Sequence, residues 1–306
     1  MKPPSLAEPR VSRYLDAHAG EVARFLTECA ARDPTLEGLS VESWRAFTRQ
    51  SFNRGAKDFS VVRIQSRVVA LLTSTLLSGS GLPIRHFRII VHPDQRRQGI
   101  GTILLRRVED QEPTDGVVLQ CNCRDSWSAG REFLKRSGFE VTRRYLEMEL
   151  HETRTPPSTL PAECAIRRDG GTAADDADWM RLDHEGYGDD LDAQQPTAND
   201  LEIRRREPGF RLWLMECEGA TVGFLHAAAG ARARIHSLVV SADCRSRGFG
   251  RGLMIHGICA LRRDGAEAFT LGVRAENAPA LGLYRGLGFE VAEETEAWQR
   301  TVRRAR

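Results

Sequence analysis

Residues 245–259 read RSRGFGRGLMIHGIC, and residues 96–110 read RRQGIGTILLRRVED. Both stretches open with R-x-x-G-x-G and continue as helix-forming sequence. In the longer helix Met254, Ile258 and Leu261 follow an i, i+4, i+7 spacing, which gives one apolar face. Glycine lets the backbone turn tightly and approach an anion closely. The helix start that follows presents unpaired N–H groups and the positive end of the helix dipole. A diphosphate fits such a turn, whereas a glycine turn that binds nothing is the competing reading of either loop alone. A dinucleotide-binding loop needs G-x-G-x-x-G within a parallel βαβ unit, and a P-loop ends in G-K-[ST]; neither pattern is present.

The two loops lie 149 residues apart, and LKRSGFEV (134–141) and YRGLGFEV (284–291) lie 150 apart. A shared offset of this size indicates two copies of one domain, since solenoid periods are far shorter. A chain of 306 residues also suits two domains of about 150 residues each. The Pro-, Ser- and Thr-rich stretch HETRTPPSTLP (151–161) reads as a linker. The expected layout is a flexible tail at 1–10, one domain at 11–150, the linker at 151–161 and a second domain at 162–306. In each copy, helical segments precede antiparallel strands, and a strand–helix–strand crossover follows. Ser40 is placed to cap the second helix of the first copy. This order gives an α+β fold with a mixed sheet.

Composition removes several classes. Net charge is +2, so no global field favours nucleic acid. No apolar run approaches the ~18 residues that span a bilayer. The N-terminal residues MKPPSLAEPR lack the apolar core of a signal peptide. Seven cysteines without a CxxC pair favour reduced thiols over a disulfide framework or a zinc site, and a cytoplasmic setting is expected. No metal is called for.

The segments LVVSADCRSRGFGRGL (238–253) and VRAENAPALGLYRGLGFEV (273–291) resemble the two signature segments of the GNAT superfamily of N-acetyltransferases. Leu238, Val240, Arg245, Gly248 and Gly250 fill the pattern L-x-V-x-x-x-x-R-x-x-G-x-G; Ile89, Val91, Pro93, Arg96, Gly99 and Gly101 fill its counterpart. The tandem layout is similar to that of mycothiol synthases, whose C-terminal copy is catalytic. The second segment also resembles ribosomal-protein N-acetyltransferases. The resemblance implies two tandem GNAT-like domains, each a mostly antiparallel sheet flanked by helices, with acetyl-CoA as co-substrate. Coenzyme contacts are expected from Leu238, Val239, Val240, Arg245, Ser246, Arg247, Gly248, Phe249, Gly250, Arg251 and Asn277. In the first copy they are expected from Ile90, Val91, Arg96, Arg97, Gln98, Gly99, Ile100, Gly101 and Thr102.

Acetyl transfer needs an acid for the leaving thiolate and a base for the amine. The resemblance places the acid at Tyr284, five residues before Phe289, and the base at His236 on the fourth strand of the second copy. His236 shares the parity of Leu238 and Val240, so all three are expected on one face. The first copy has Leu134 and Trp127 where the second has Tyr284 and Asn277, and Phe87 or Arg85 where the base would stand. It is therefore expected to be catalytically degenerate. Ribosomal-type relatives carry Glu twelve residues before the tyrosine, where this chain has Gly272.

The region that borders the acceptor site in the family is acidic here: Asp175, Asp176, Asp178, Asp183, Glu185, Asp189, Asp190 and Asp192 face one basic residue, Arg181. Such a rim would attract a cationic amine; equally, carboxylates collect at helix starts because the dipole favours them there. Three readings stay open. One is transfer to a small, cationic amine, another is transfer to a protein N-terminus or lysine, and the third is a non-catalytic coenzyme A sensor or scaffold.

Overall fold

The computed structural model describes residues 8–33, 36, 38–50, 53, 56–77, 82–111, 116–151, 160–161, 163–188 and 196–302. Two compact units emerge, one of residues 1–121 with 299–306 and the other of residues 122–298. These units are not the same partition as the sequence repeat.

In the first unit, strand β1 (Arg10–Arg13) precedes helices α1 (Ala19–Arg32) and α2 (Val41–Arg49). Strands β2 (Ser60–Ile64), β3 (Arg67–Leu77) and β4 (Ile84–Val91) follow, then helix α3 (Ile100–Glu109) and strand β5 (Val118–Arg124). Neighbours β1 to β4 pair antiparallel in chain order, and β4 pairs with β5 in parallel. The β2–β3 turn is Gln65–Ser66, with φ of 48° and 68°. Two left-handed residues give the turn whose twist matches a right-twisted hairpin. Ser40 caps α2, accepting from the Ser43 N–H at 3.1 Å.

The second unit holds helix α4 (Ser128–Arg136), strands β6 (Glu140–Leu150) and β7 (Cys164–Arg168), and helices α5 (Ala173–Tyr187) and α6 (Ala198–Arg205). It continues with strands β8 (Phe210–Cys217), β9 (Ala220–Ala228) and β10 (Arg232–Val240), helix α7 (Phe249–Arg263), strand β11 (Ala268–Arg274), helix α8 (Ala278–Arg285) and strand β12 (Glu290–Thr301). Its sheet runs β12-β6-β11-β10-β9-β8-β7. The β8–β9 turn, Glu218–Gly219, repeats the two left-handed residues of the first unit with φ of 52° and 79°. Strand β6, the last strand of the first sequence copy, pairs antiparallel with β11 of the second.

Alternation along these strands divides the apolar residues between the two sheet faces. One face packs Leu225, Ile235, Phe269 and Leu271 against Leu253, Met254, Ile258 and Leu261 of α7 and Leu281 and Tyr284 of α8. The other packs Leu212, Leu214, Phe224 and Val239 against Trp179 and Leu182 of α5 and Leu201 of α6. Two glycines let the helices approach the sheet. A Cβ at Gly257 would lie 2.1 Å from Leu225 Cδ2, and one at Gly186 would lie 2.9 Å from both methyls of Val239.

The expectation of seven reduced thiols is not met. Cys164 of β7 and Cys217 of β8 form a disulfide, with Cα atoms 4.2 Å apart. They are opposite residues at the close spacing of a non-hydrogen-bonded antiparallel pair. Cys29, Cys121, Cys123, Cys244 and Cys259 are not joined in disulfides. No described helix is long and apolar enough to cross a membrane.

Candidate active site

The two glycine loops adopt nearly the same backbone. Gly248 and Gly99 cap α7 and α3 in the left-handed region, at φ of 84° and 80°. Ser246 and Arg97, two residues earlier, also have positive φ, 63° and 66°. Each loop's first arginine folds back onto the strand before it. Arg245 Nε donates to Val240 O at 3.2 Å, and Arg96 Nε donates to Val91 O at 3.3 Å. No side chain caps either helix. The first backbone donors with helical acceptors are Gly252 in α7 and Ile103 in α3. The N–H groups of Phe249, Gly250 and Arg251, and those of Ile100, Gly101 and Thr102, are left at the helix starts, as an anion requires. The side chains of Phe249 and Ile100 point into the cores, so these residues offer a ligand only their backbone. Arg251 also donates to Gly286 O at 3.2 Å. Gln98 and Arg247 are exposed.

Strand β10 pairs in parallel with β11 only from Arg232 to Ile235. From His236 to Val240 its ladder continues on the β9 side alone. That part of the edge facing β11 carries backbone groups with no strand partner among the described residues. Fixed dipoles of this kind can stabilise the oxygen of a polarised carbonyl. The same opening exists in the first unit, where β4 pairs with β5 only from Ile84 to His86.

The two copies differ in strand four. Strand β10 has a β-bulge between Ile235 and Ser237, which leaves His236 as the extra residue, while β4 pairs with β3 in unbroken register. A bulge re-aims a side chain. Ile235 packs on the α7/α8 face, and so do Leu238 and Val240, which is possible only because the bulge resets the alternation. His236 therefore does not share a face with Leu238 and Val240, contrary to the parity expectation. It stacks on His226 with ring centroids 4.8 Å apart and planes 24° apart, and His226 lies against Phe210 of the α5/α6 face. In the first unit Phe87 is buried in the core.

Tyr284 lies on the α7/α8 face at 8% exposure, its ring 6.0 Å from Phe289. Burial, with the nearby Tyr187 hydroxyl second, raises its pKa above the ordinary tyrosine value. It is a phenol at neutral pH, a proton donor and not a phenolate. The counterpart in the first sequence copy, Leu134, is buried. Tyr284 and His236 thus stand on opposite faces of the sheet, and His236 follows directly on Ile235, where the β10–β11 pairing ends.

His236 is exposed yet closely surrounded. Desolvation first, then the guanidiniums of Arg234 and Arg204, lower its pKa to about 4. It is a neutral imidazole at physiological pH, able to accept a proton. Arg234 is tied to Glu147 of β6, with Nη2 to Oε1 at 3.1 Å. A Cβ at Gly272 would lie 3.1 Å from that same carboxylate oxygen. The space beside Gly272 is filled by Glu147 from the neighbouring strand.

Asn277 caps α8, its Oδ1 accepting from the Ala280 N–H at 3.2 Å, which leaves both donors of its amide nitrogen for a ligand. Trp127 holds the same place on α4 without a side-chain cap.

The acidic region is largely engaged within the protein. Asp175 closes a capping box with Thr172 and binds Arg167 at 2.7 Å. Asp176 binds Arg205 at 2.6 Å, and Asp178 accepts from Thr221 at 2.6 Å and Arg181 at 3.0 Å. Glu185 accepts from Ser241 Oγ at 3.0 Å and from the Ala242 N–H, anchoring α5 to the start of the glycine loop. The Ala242 bond, ahead of other causes, keeps its carboxyl below the usual glutamate range. Asp189, Asp190 and Asp192 lie outside the described residues. Asp183 alone among the described members has no hydrogen-bond partner; burial raises its pKa to about 6.

A surface depression of about 660 Å³, lined by Arg131, Lys135 and Trp298 among others, shares no residue with the loop, Tyr284 or His236. The geometry of the bulge and the β10–β11 opening defines the site better than that depression does.

Comparison with known proteins agrees with this architecture. The Acetyltransferase (GNAT) family matches residues 177–289, and an Acetyltransferase (GNAT) domain matches residues 56–141. The mycothiol acetyltransferase of Acidothermus cellulolyticus is 30% identical over 222 residues, covering 66% of this chain and 67% of that protein. The mycothiol acetyltransferase of Thermomonospora curvata is 28% identical over 291 residues, covering 93% and 91%. A tandem GNAT protein from the clavulanic acid biosynthesis pathway has a TM-score of 0.74 at 17% identity, covering 98% of this chain and 100% of that one. A GCN5-related N-acetyltransferase from Sphaerobacter thermophilus gives 0.69 at 19% identity, covering 97% of each chain. With two matched domains in one chain and the pyrophosphate-type turn in both, this protein belongs to the GNAT family of N-acetyltransferases, whose co-substrate is acetyl-CoA.

Proposed function

We propose that the second copy transfers the acetyl group of acetyl-CoA to the primary amine of a small molecule, and that the first copy is catalytically degenerate. The observation that carries this reading is the end of the β10–β11 pairing at Ile235, with the bulged His236 next in the chain and Tyr284 a buried phenol on the other sheet face. At the matching positions the first copy has Leu134 for the acid and Phe87 or Arg85 for the base, all buried.

In this reading the N–H groups of Phe249, Gly250 and Arg251 hold the coenzyme diphosphate, with Arg245 and Arg247 beside it. The amide nitrogen of Asn277 contacts the pantetheine arm. The thioester then lies along the opening, its carbonyl oxygen against the unpaired edge of β10. The amine nitrogen attacks the carbonyl carbon, the carbon–sulfur bond breaks, and His236 takes the proton the amine loses, directly or through water. Tyr284 gives its proton to the departing sulfur and recovers one from solvent. Each positioned proton transfer contributes roughly 10²–10⁴-fold to rate.

The mycothiol acetyltransferase relatives support a small-molecule acceptor. The test is thiol release from acetyl-CoA across a panel of amines, with coenzyme binding followed separately by thermal shift. Turnover with at least one small amine is expected. Coenzyme binding without thiol release for any amine would leave a binding protein and refute the catalytic reading.

A further inference from the structure

The arginines of the second unit mostly close ion pairs. Arg167 reaches Asp175 at 2.7 Å, and Arg205 reaches Asp169 at 2.7 Å and Asp176 at 2.6 Å. Arg204, one residue before Arg205, does not. Its guanidinium lies over the buried ring of Trp179, 5.5 Å from the centroid. It is near enough to Asp183, Glu207, His226 and His236 to act on the charge of each. Yet among the described residues it forms no ion pair with Asp183, although the two face each other from α6 and α5.

Asp183 has the position of a core residue. It falls in register with Asp175, Trp179 and Leu182 on the buried face of α5, and it is 8% exposed. A carboxylate there without a hydrogen-bond donor is costly unless something outside the protein supplies one. His226, on the sheet face that α5 and α6 cover, is 6% exposed, and its Nδ1 has no partner among the described residues. Trp179 Nε1 is likewise buried and unpartnered. Arg204 is thus the shared neighbour of a carboxylate, Asp183, and of two side chains with unmet hydrogen-bonding groups, Trp179 and His226. His236, stacked on His226, connects this cluster to the β10–β11 opening.

We infer that this cluster is the acceptor subsite and that it takes an amine which also carries an anionic group, as a free amino acid does. The anion, a carboxylate or phosphate, binds Arg204, whose flat guanidinium suits either. The ammonium meets Asp183 before it loses its proton toward His236. The open Arg204–Asp183 pair is closed by the substrate, and both protein charges are compensated only when it is bound. This inference rests on the acetyltransferase reading of the same site and narrows its substrate class.

The experiment compares kcat/KM for the common amino acids with kcat/KM for their carboxamides, and phosphoethanolamine with ethanolamine. The two acidic series separate carboxylate from phosphate recognition. For the preferred acid, an advantage of about 10- to 100-fold over its neutral partner is expected. Arg204→Gln should remove that advantage by raising KM for the acid while leaving the neutral partner little changed, and Arg204→Lys should restore part of it. Melting temperature and acetyl-CoA binding of both variants verify their folding. Equal or better use of the neutral members by the wild type overturns the inference and leaves the acetyltransferase reading intact. So does an equal KM increase for acid and neutral partner in Arg204→Gln. If other amines are acetylated but no acidic member is turned over, or shows heat of binding to the coenzyme-loaded protein, the inference also fails. Loss of all turnover with every amine would instead strike the acetyltransferase reading.

Discussion

Asp183→Asn should make the free protein more stable, and more so at high pH than at low. Burial lifts the carboxyl pKa from the ordinary 3.8 to about 6, against the attraction of Arg204 on α6 and His184 on its own helix. The sign follows from linkage. A carboxyl with a raised folded-state pKa contributes stability while protonated; that contribution is complete below the unfolded value and is lost as pH rises through about 6. A displacement of this size corresponds to roughly 3 kcal/mol, an upper figure because the group is not wholly closed to water. Asparagine mimics the protonated form. The variant's advantage should be about 3 kcal/mol at pH 8, about half of that at pH 5, and should vanish in stronger acid. His226 and His236, both shifted down, oppose this in each protein, since their stability is lost as pH falls below the ordinary histidine value. They cancel in the difference between wild type and variant. Urea denaturation of both proteins at the two pH values measures it. A variant that is no more stable at pH 8, or whose advantage grows on acidification, would refute the assignment of Asp183 as a buried, unpartnered carboxylate. The same substitution should weaken acceptor binding, so a gain in stability would accompany a loss of function.

Two further substitutions test the packing. Gly257→Ala should cost about 1–3 kcal/mol through overpacking, because its Cβ would meet buried Leu225 at 2.1 Å; Leu225→Ala in the same chain should make the two costs non-additive in chemical denaturation. Replacing Cys164 and Cys217 by serine, or reducing them, opens a loop of 53 residues and should cost about 4 kcal/mol on the chain-entropy model. An unchanged unfolding midpoint after reduction would mean that the pair is not joined in solution.

Local signals were the legible ones. The i, i+4, i+7 spacing marks the buried face of α7, and Ser40 marks the start of α2. The glycine loops were legible because their positive φ values need specific residues at fixed positions. What the sequence hid depends on partners far along the chain. The bulge that turns His236 to the other face exists only relative to β9, so strand parity gave the wrong side. Cys164 and Cys217 meet because β7 and β8 are neighbours in register, which no spacing motif announces. Strand β6 pairs with β11, although by sequence it closes the first copy. The acidic region read as one rim because all carboxylates look alike in a string. Capping and ion pairing engage most of its described members, and only Asp183 stands apart. Arg204 and His226 carried no sequence signal at all.

In the proposed reaction Tyr284 protonates the leaving thiolate, and Tyr284→Phe tests this with the loss of one oxygen atom from a packed ring. Steady-state thiol release with the best amine, measured beside acetyl-CoA affinity, should show kcat lower by about 10²–10⁴-fold with coenzyme binding unchanged. A kcat within a few-fold of wild type would show that the phenol takes no part and that the chemistry lies elsewhere.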